Sequence, residues 1–477
     1  MRIRNENKQC CDVLVVGAGA AGLFAALAAR GVLQADGRLR EPQADAPHVV
    51  LLNNEARLGL KILVSGGGRC NLTNTQVDAA DYESDAPRVV QGLLRGFPPQ
   101  AVRTLFASRG CSSYEEALGK VFPKSDKARD VLDTLLNAVN RAGIKLVAPA
   151  EVTGIAAPDV AGQPWRVHTE DGADWQCRSV IVAAGGKSLP KTGSRGFGLT
   201  ELQRLGHTIV APVPALTPLL LRREGPLSGL SGLTVPVVLS LTQPGVSAEQ
   251  LSGARFRPLA RAAGSLLVTH KGATGPAPFD VSGACARATL TGDDVVLHAD
   301  FWSLVADEGP WAAYRYLGKP PGAALAPALA PRPPTREAFD QQAQDLFSQR
   351  DRTLSNALGT RLPRSLVAGL LGAASLNGAQ KVKQLDTRDR AKLFLALTQV
   401  DIGLCGTEGY AKAEVTSGGV LLGELDRRTL ESRRLPGLHC CGEVVNVTGR
   451  LGGFNFQWAW SSGYAAGSAA ARNTSQT

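Results

Sequence analysis

Residues 13–16, all apolar, run into Gly17-x-Gly19-x-x-Gly22 and then into an Ala/Leu-rich stretch ending near Arg30. No other segment restricts the fold so strongly. Read as buried parallel strand, tight turn and helix, it opens a dinucleotide-binding βαβ unit. Gly17 lets the chain turn sharply, Gly19 lets backbone approach a pyrophosphate, and Gly22 lets helix pack on strand. Ala20 and Ala21 supply helix N-terminal N–H groups, and the helix dipole adds positive potential for an anion. A glycine-rich turn in another α/β protein is the alternative. Strand before and helix after favour the dinucleotide, without saying which one.

A chain of 477 residues holds two or three domains. Its 44% hydrophobic and 20% charged residues are those of a globular protein, and 53 glycines suit backbone-governed loops around a large cofactor. The net charge of +10 raises a nucleic-acid or membrane partner. The basic residues are scattered, however, and the one dense stretch, 255–261, is short. A solvated basic surface is the favoured reading, so neither nucleic acid nor membrane is expected as a partner. Nine cysteines without a C-x-x-C or a metal-ligand cluster fit free thiols in a reducing compartment, and no metal is expected. Arg2 and Arg4 before an apolar core mimic a signal peptide, yet cleavage there would remove the glycine loop. The expected location is the cytoplasm; the oligomeric state stays open.

A polar excursion, 31–47, precedes a second strand at 48–53. In dinucleotide folds that strand ends in an acid that binds ribose hydroxyls. Here it ends in Asn53 and Asn54, with Glu55 just beyond. Next, apolar 62–64 leads into Ser65, Gly66, Gly67, Gly68, Arg69, Cys70 and Asn71. Three successive glycines form an anion-binding concavity of N–H groups, with Arg69 as its charge partner. Residues 125–141 read as an amphipathic helix, and 151–156, 165–169 and 175–183 as strands, the last two joined by Asp171-Gly172. That third strand gives way to Ala184 and Gly185, a second place where backbone can touch a nucleotide.

From about residue 206 proline-punctuated short strands suggest an inserted, mostly-β domain. Residues 319–335 form a Pro/Ala-rich linker, and 336–400 read as helical. Residues 438–443 then return to a short strand ending in Gly442 and Glu443. Gly452, Gly453, Phe454 and Asn455 open a helix with Ala459, Gly463 and Gly467 on one stripe. The first and last segments therefore complete one domain, giving a division into 1–205, 206–335, 336–400 and 401–477.

Together the glycine loop, the Ser65-Gly-Gly-Gly-Arg-Cys-Asn71 motif, the turn after Ala183 and the block from Gly452 through Trp458 resemble one family. It is the BaiN/RdsA-type, YhiN-like NAD(P)/FAD-dependent oxidoreductases, also labelled aminoacetone-oxidase-like flavoproteins. The resemblance covers nearly the whole chain. It implies an α/β fold, a Rossmann-like FAD-binding domain of glutathione-reductase type interrupted by a β-barrel-like insert and a helical subdomain. It implies that Gly17, Gly19 and Gly22 hold the FAD pyrophosphate, that Val152 backbone faces the adenine, and that Ser65 through Asn71 line the flavin side. Lys61 is carried over as a cofactor contact, and Ala184 and Gly185 close over the nucleotide. Gly442 and Glu443 meet the ribityl or pyrophosphate region, while Gly453, Phe454 and Asn455 sit at the pyrimidine end of the isoalloxazine. A helix start there stabilises the negative charge that a reduced flavin gathers.

Asn53 stands where the family has a ribose-binding acid, and Leu60, Phe197, Asn446 and Thr448 also depart from the family pattern. The implied activity is FAD-dependent oxidoreduction of a small organic substrate by hydride transfer through flavin N5. Either NAD(P)H serves as a transient donor, or the substrate reduces FAD and oxygen reoxidises it. No second GxGxxG marks a nicotinamide domain, and Cys70 has no partner thiol at disulfide-reductase spacing. No catalytic acid or base is assigned. A tRNA-modifying flavoprotein and a dinucleotide-binding protein without turnover are the alternatives.

Overall fold

The computed structural model describes residues 8–160, 162–306 and 330–474. It divides the chain into two compact units, Met1–Pro212 with Glu414–Thr477, and Val213–Ala413. Part of the expected linker, residues 319–329, lies outside the described residues.

The first unit is built on the strands β1 (Lys8–Val16), β2 (Val49–Leu52), β3 (Lys145–Val147), β4 (Val152–Ala156), β5 (Trp165–Thr169), β6 (Asp174–Val182) and β7 (Leu438–Cys440). Their order is β3-β2-β1-β6-β5-β4, with β7 also on β6. The β1, β2, β3, β6 and β7 pairings are parallel, and β4-β5-β6 is an antiparallel leaf whose last turn is Asp171-Gly172. Val13, Leu14 and Val15 have no exposed surface. A parallel strand with neighbours on both edges and helices on its faces is apolar throughout, which is why this run does not alternate.

Helix α1 (Ala20–Ala29) follows β1 directly, and helix α2 (Phe454–Thr474) comes from the far end of the chain to lie beside it. The small-residue stripe sets that distance: a Cβ on Gly463 would stand 2.5 Å from the Ala21 carbonyl oxygen. Between the same helices the rings of Phe24 and Trp460 meet at a tilt of 35° with centroids 4.4 Å apart, both fully buried. Burying side chains of that size contributes roughly 1.5–3 kcal/mol each. The two ends of the chain are thus parts of one sheet-and-helix body.

The second unit contains a seven-stranded antiparallel sheet. Its edge strands, Val400–Asp401 and Leu404–Thr407, are separated by only Ile402 and Gly403. Two opposite edges joined by two residues require the sheet to curl until they meet, which gives the barrel-like form. Helices Arg364–Ala373 and Thr387–Thr398 bury Leu366, Leu370, Leu393 and Leu397 in the same apolar cluster as Val237 and Leu239 of the sheet. Among the described residues no helix is long and apolar enough to cross a membrane.

Candidate functional site

The site is assembled in the first unit at the carboxyl ends of its parallel strands. Gly17 leaves β1 at φ +104°, and a Cβ there would stand 2.5 Å from the Ala183 carbonyl oxygen. A side chain at Gly22 would overlap the Gly17 carbonyl oxygen. Gly19 differs: a Cβ on it meets no described residue within 4 Å. Gly19 is also the N-cap of α1, and no side chain caps that end. The N–H groups of Ala20, Ala21 and Gly22 therefore face this opening without intrahelical partners. Bare backbone, uncapped donors and positive dipole at one point fit an anionic pyrophosphate.

Asn53 ends β2 with both amide atoms engaged. Its Oδ1 accepts from Ala18 N–H at 3.1 Å, and its Nδ2 donates to the Glu55 carbonyl at 2.6 Å. The neighbouring Asn54 donates to the Gly193 carbonyl at 3.0 Å, and Glu55 pairs with Arg195 at 2.7 Å. Ala150 N–H donates to the Asn53 carbonyl, so Val152 starts β4 close to this strand end.

The second glycine loop has left-handed backbone at Gly66, Gly67, Gly68 and Cys70. Only glycine takes three such conformations in succession without strain, and Gly67 again faces open space. Ser65 turns inward, donating to the Ile62 carbonyl at 2.7 Å. Arg69 points to Glu116 at 2.6 Å and lies over the Phe122 ring, 3.9 Å from its centroid. Its charge is thereby directed at an acid rather than into the loop. Burial pushes the Cys70 thiol up to about 12. A thiol so held is neutral and packs as a small apolar group.

With its amide oriented so that both ends are satisfied, Asn71 donates to the Thr73 and Val121 carbonyls and accepts from Gly453 N–H at 3.1 Å. The loop is thus tied to the start of α2. Asn74 donates to the Gly452 carbonyl, Thr73 donates to Gln457, and Trp460 donates to the Leu72 carbonyl. Asn455 closes the turn by bonding both the N–H and the carbonyl of Gly449, and Tyr82 donates to the Phe454 carbonyl. Gly442 sits against the first turn of α1, where its added Cβ would be 2.7 Å from the Ala21 methyl, and its N–H donates to Ser462.

Lys61 and Glu443, 382 positions apart in sequence, form an ion pair of 2.7 Å. Lys61 Nζ also donates to Ser188 Oγ at 2.6 Å. Glu443 Oε1 accepts from Ser188 Oγ and from Thr416 N–H, each at 2.9 Å. Thr416 Oγ1 in turn accepts from the N–H groups of Lys187 and Ser188, just beyond Ala184 and Gly185. Sequence reasoning missed Ser188 as a site residue. Only its place after Gly185-Gly186 hinted at it. Gln457, which joins Thr73 to the Phe97 carbonyl, lies in the block from Gly452 through Trp458 but had no role of its own, and Glu116 carried no signal.

A parallel sheet whose carboxyl edge carries an uncapped helix, a bare glycine and a second glycine loop defines a Rossmann-type dinucleotide-binding protein. The chain belongs to the family described as HI0933-like protein Rossmann domain, whose model matches residues 11–469. Membership places it among the flavin-dependent oxidoreductases. It is 32% identical over 457 residues to the ribosomal RNA dihydrouridine synthase of Escherichia coli, covering 95% of this chain and 96% of that one. It is 30% identical over 459 residues to the 3-dehydro-bile acid delta(4,6)-reductase of Clostridium scindens, covering 96% and 98%. Among solved structures, 3-ketosteroid delta1-dehydrogenase from Sterolibacterium denitrificans aligns over 97% of this chain and 99% of that one, at 15% identity and a TM-score of 0.44.

Proposed function

We propose that this protein holds FAD in the glycine cradle and reduces a carbon–carbon double bond conjugated to a carbonyl group. The observation that carries the reading is the open, uncapped start of α1 at Gly19. In this reading Ala20, Ala21 and Gly22 bind the pyrophosphate through N–H groups while Gly17 provides the turn. Val152 backbone meets the adenine, and Ala184 and Gly185 cover the nucleotide. Lys61 and Glu443, locked by Ser188 and Thr416, present a fixed polar wall toward the ribityl region. Ser65 through Asn71 line the flavin, and Gly452, Gly453 and the first turn of α2 stand at its pyrimidine end. When bound, FAD supplies a two-electron carrier between a donor and the substrate. We take NAD(P)H as that donor, visiting without a nicotinamide domain of its own.

The choice of substrate bond rests on chemistry shared by two relatives. A dihydrouridine is a uridine whose C5–C6 bond, conjugated to C4=O, has taken up two hydrogens. A 3-dehydro delta(4,6) bile acid has a diene conjugated to its 3-oxo group. The net charge of +10 supports RNA uracil as the substrate class, because phosphate neutralisation drives RNA association. The expectation that nucleic acid is no partner is therefore given up in this proposal. The Clostridium relative supports a small enone as the second reading. All nine cysteines are free thiols, which suits action in a reducing cytoplasm.

The test is anaerobic. FAD-loaded protein is reduced with NADPH, NADH or dithionite, then mixed with protein-free ribosomal RNA or with 2-cyclohexenone while flavin absorbance is followed. Reoxidation by RNA with dihydrouridine formed supports the proposal, and reoxidation by the enone alone selects the second reading. Reoxidation by neither would sink double-bond reduction, and failure to bind FAD would sink the whole assignment.

A further inference from the structure

We infer that the Glu55 carboxylate, steered by Arg195, binds the ribose hydroxyls of the adenosine half of the cofactor, a task the Asn53 side chain has given up. The inference rests on the reading that FAD occupies the cradle.

A ribose diol presents two hydroxyl donors and needs an acceptor at the end of the second strand. The residue there is Asn53, whose oxygen already serves Ala18 N–H and whose nitrogen already serves the Glu55 carbonyl. Turning that amide toward a sugar would orphan an N–H of the glycine loop itself. Two positions on, Glu55 has what Asn53 lacks. Its Oε1 accepts from Arg195 Nη2 at 2.7 Å, while Oε2 has no hydrogen bond to a described residue. Its side chain remains 30% exposed, so the free oxygen is reachable.

The surroundings place this carboxylate at the rim of the nucleotide opening. The Asn54–Gly193 bond lays the 190–195 turn against it, and a Cβ on Gly193 would stand 2.8 Å from Glu55 Cγ. Arg195 also reaches within 3.6 Å of Glu151, the residue before Val152. Glu55, Arg195 and Glu151 therefore bracket the space between the β2 end and the strand expected to face adenine. An ionised carboxylate offers about four lone-pair sites, enough for Arg195 and both hydroxyls, and its charge strengthens each bond. A 2′-phosphate at that point would face two carboxylates sharing one guanidinium. The rim thus selects an unphosphorylated diol.

The experiment uses the full chain stripped of flavin. FAD affinity is read by fluorescence quenching for the wild type, E55A, E55Q and R195A, with thermal unfolding as a check on folding. ADP and 2′-deoxy-ADP then compete for the site. The wild type should bind 2′-deoxy-ADP about tenfold more weakly than ADP, the loss of one charge-assisted hydrogen bond. E55A and E55Q should weaken FAD by about tenfold or more and bind the two nucleotides alike, with R195A between. Wild-type FAD affinity and discrimination in E55Q overturns the inference, and so does a wild type indifferent to the 2′-hydroxyl, which needs no variant. A wild type that binds neither FAD nor ADP overturns the cofactor reading along with it.

Discussion

Gly22 lies so close to Gly17 that the first atom of any side chain at Gly22 would fall on the Gly17 carbonyl oxygen. Three positions earlier, Gly19 has no described residue within 4 Å of the same hypothetical atom and an ordinary φ of −82°. The same substitution should therefore have opposite consequences. Gly22→Ala must push α1 off β1, lowering thermal stability and flavin content together. Gly19→Ala should leave the melting temperature of the flavin-free protein near wild type but weaken FAD by about tenfold or more, because the methyl would enter the opening proposed for the pyrophosphate. Differential scanning fluorimetry alongside flavin titration separates the two. Equal losses of stability would count against the cradle as described.

The Lys61–Glu443 pair is largely shielded, with side-chain exposures of 27% and 18%. Lys61→Met leaves a carboxylate whose remaining partners are Ser188 Oγ and the Thr416 N–H. A destabilisation of about 1–3 kcal/mol is expected, discounted for partial exposure. Adding Glu443→Gln should recover part of it. Urea unfolding of the two single variants and the double variant gives the coupling directly, and additive effects would exclude the pairing.

Acid should act on two carboxyls, Asp300 and Glu424, in opposite directions. Burial pushes the Asp300 carboxyl up to about 6 despite hydrogen bonds from Ser303 and the Trp302 N–H. Its folded value exceeds its unfolded one, so its contribution to stability is fully present below about pH 4 and is lost as pH rises through 6. Burial also opposes the charge of Glu424, but hydrogen bonds from Thr208 and His207, with the Arg434 charge, hold it at about 2. Its contribution is present above about pH 4.5 and is lost as pH falls through 2. Asp300→Asn should raise stability at pH 7 and flatten its dependence between pH 4.5 and 7. Glu424→Gln should lower stability at pH 7. Thermal unfolding across that range checks both signs.

Thiol labelling offers a simpler test. Cys10 and Cys405 are exposed, whereas Cys70, Cys440 and Cys441 are fully buried with thiols pushed to about 12 or above. Native protein treated with iodoacetamide should be modified at Cys10 and Cys405, with the buried three reacting only after denaturation. Rapid modification of Cys70 would contradict the packing of the second glycine loop.

The sequence was most legible where backbone geometry decides residue choice. The apolar run before Gly17 announces a parallel strand, and the spacing of Ala459, Gly463 and Gly467 announces a helix pressed on its neighbour. Both signals are local, so neither depends on knowing the fold. Side-chain partnerships were not legible. Lys61 meets Glu443 across 382 positions, and nothing near either residue records the other. Arg69 looks like an anion ligand beside three glycines, yet Glu116, 47 positions later, takes its charge. Asn53 reads as a lost acid. Only its bonds to Ala18 and Glu55 reveal that it now serves as a brace within the protein.

The placing of β7 and α2 sets a schedule for assembly. Chains emerge from the ribosome at roughly 5–20 residues per second, so the opening strand and loop wait for more than 400 residues before Leu438–Cys440 and Phe454–Thr474 arrive. Until then α1 lacks its neighbour and the second glycine loop lacks the helix start that ties it down. A nascent polypeptide halted after the inserted unit would therefore be unable to retain its yellow cofactor, and flavin capture becomes a late event in the life of each molecule.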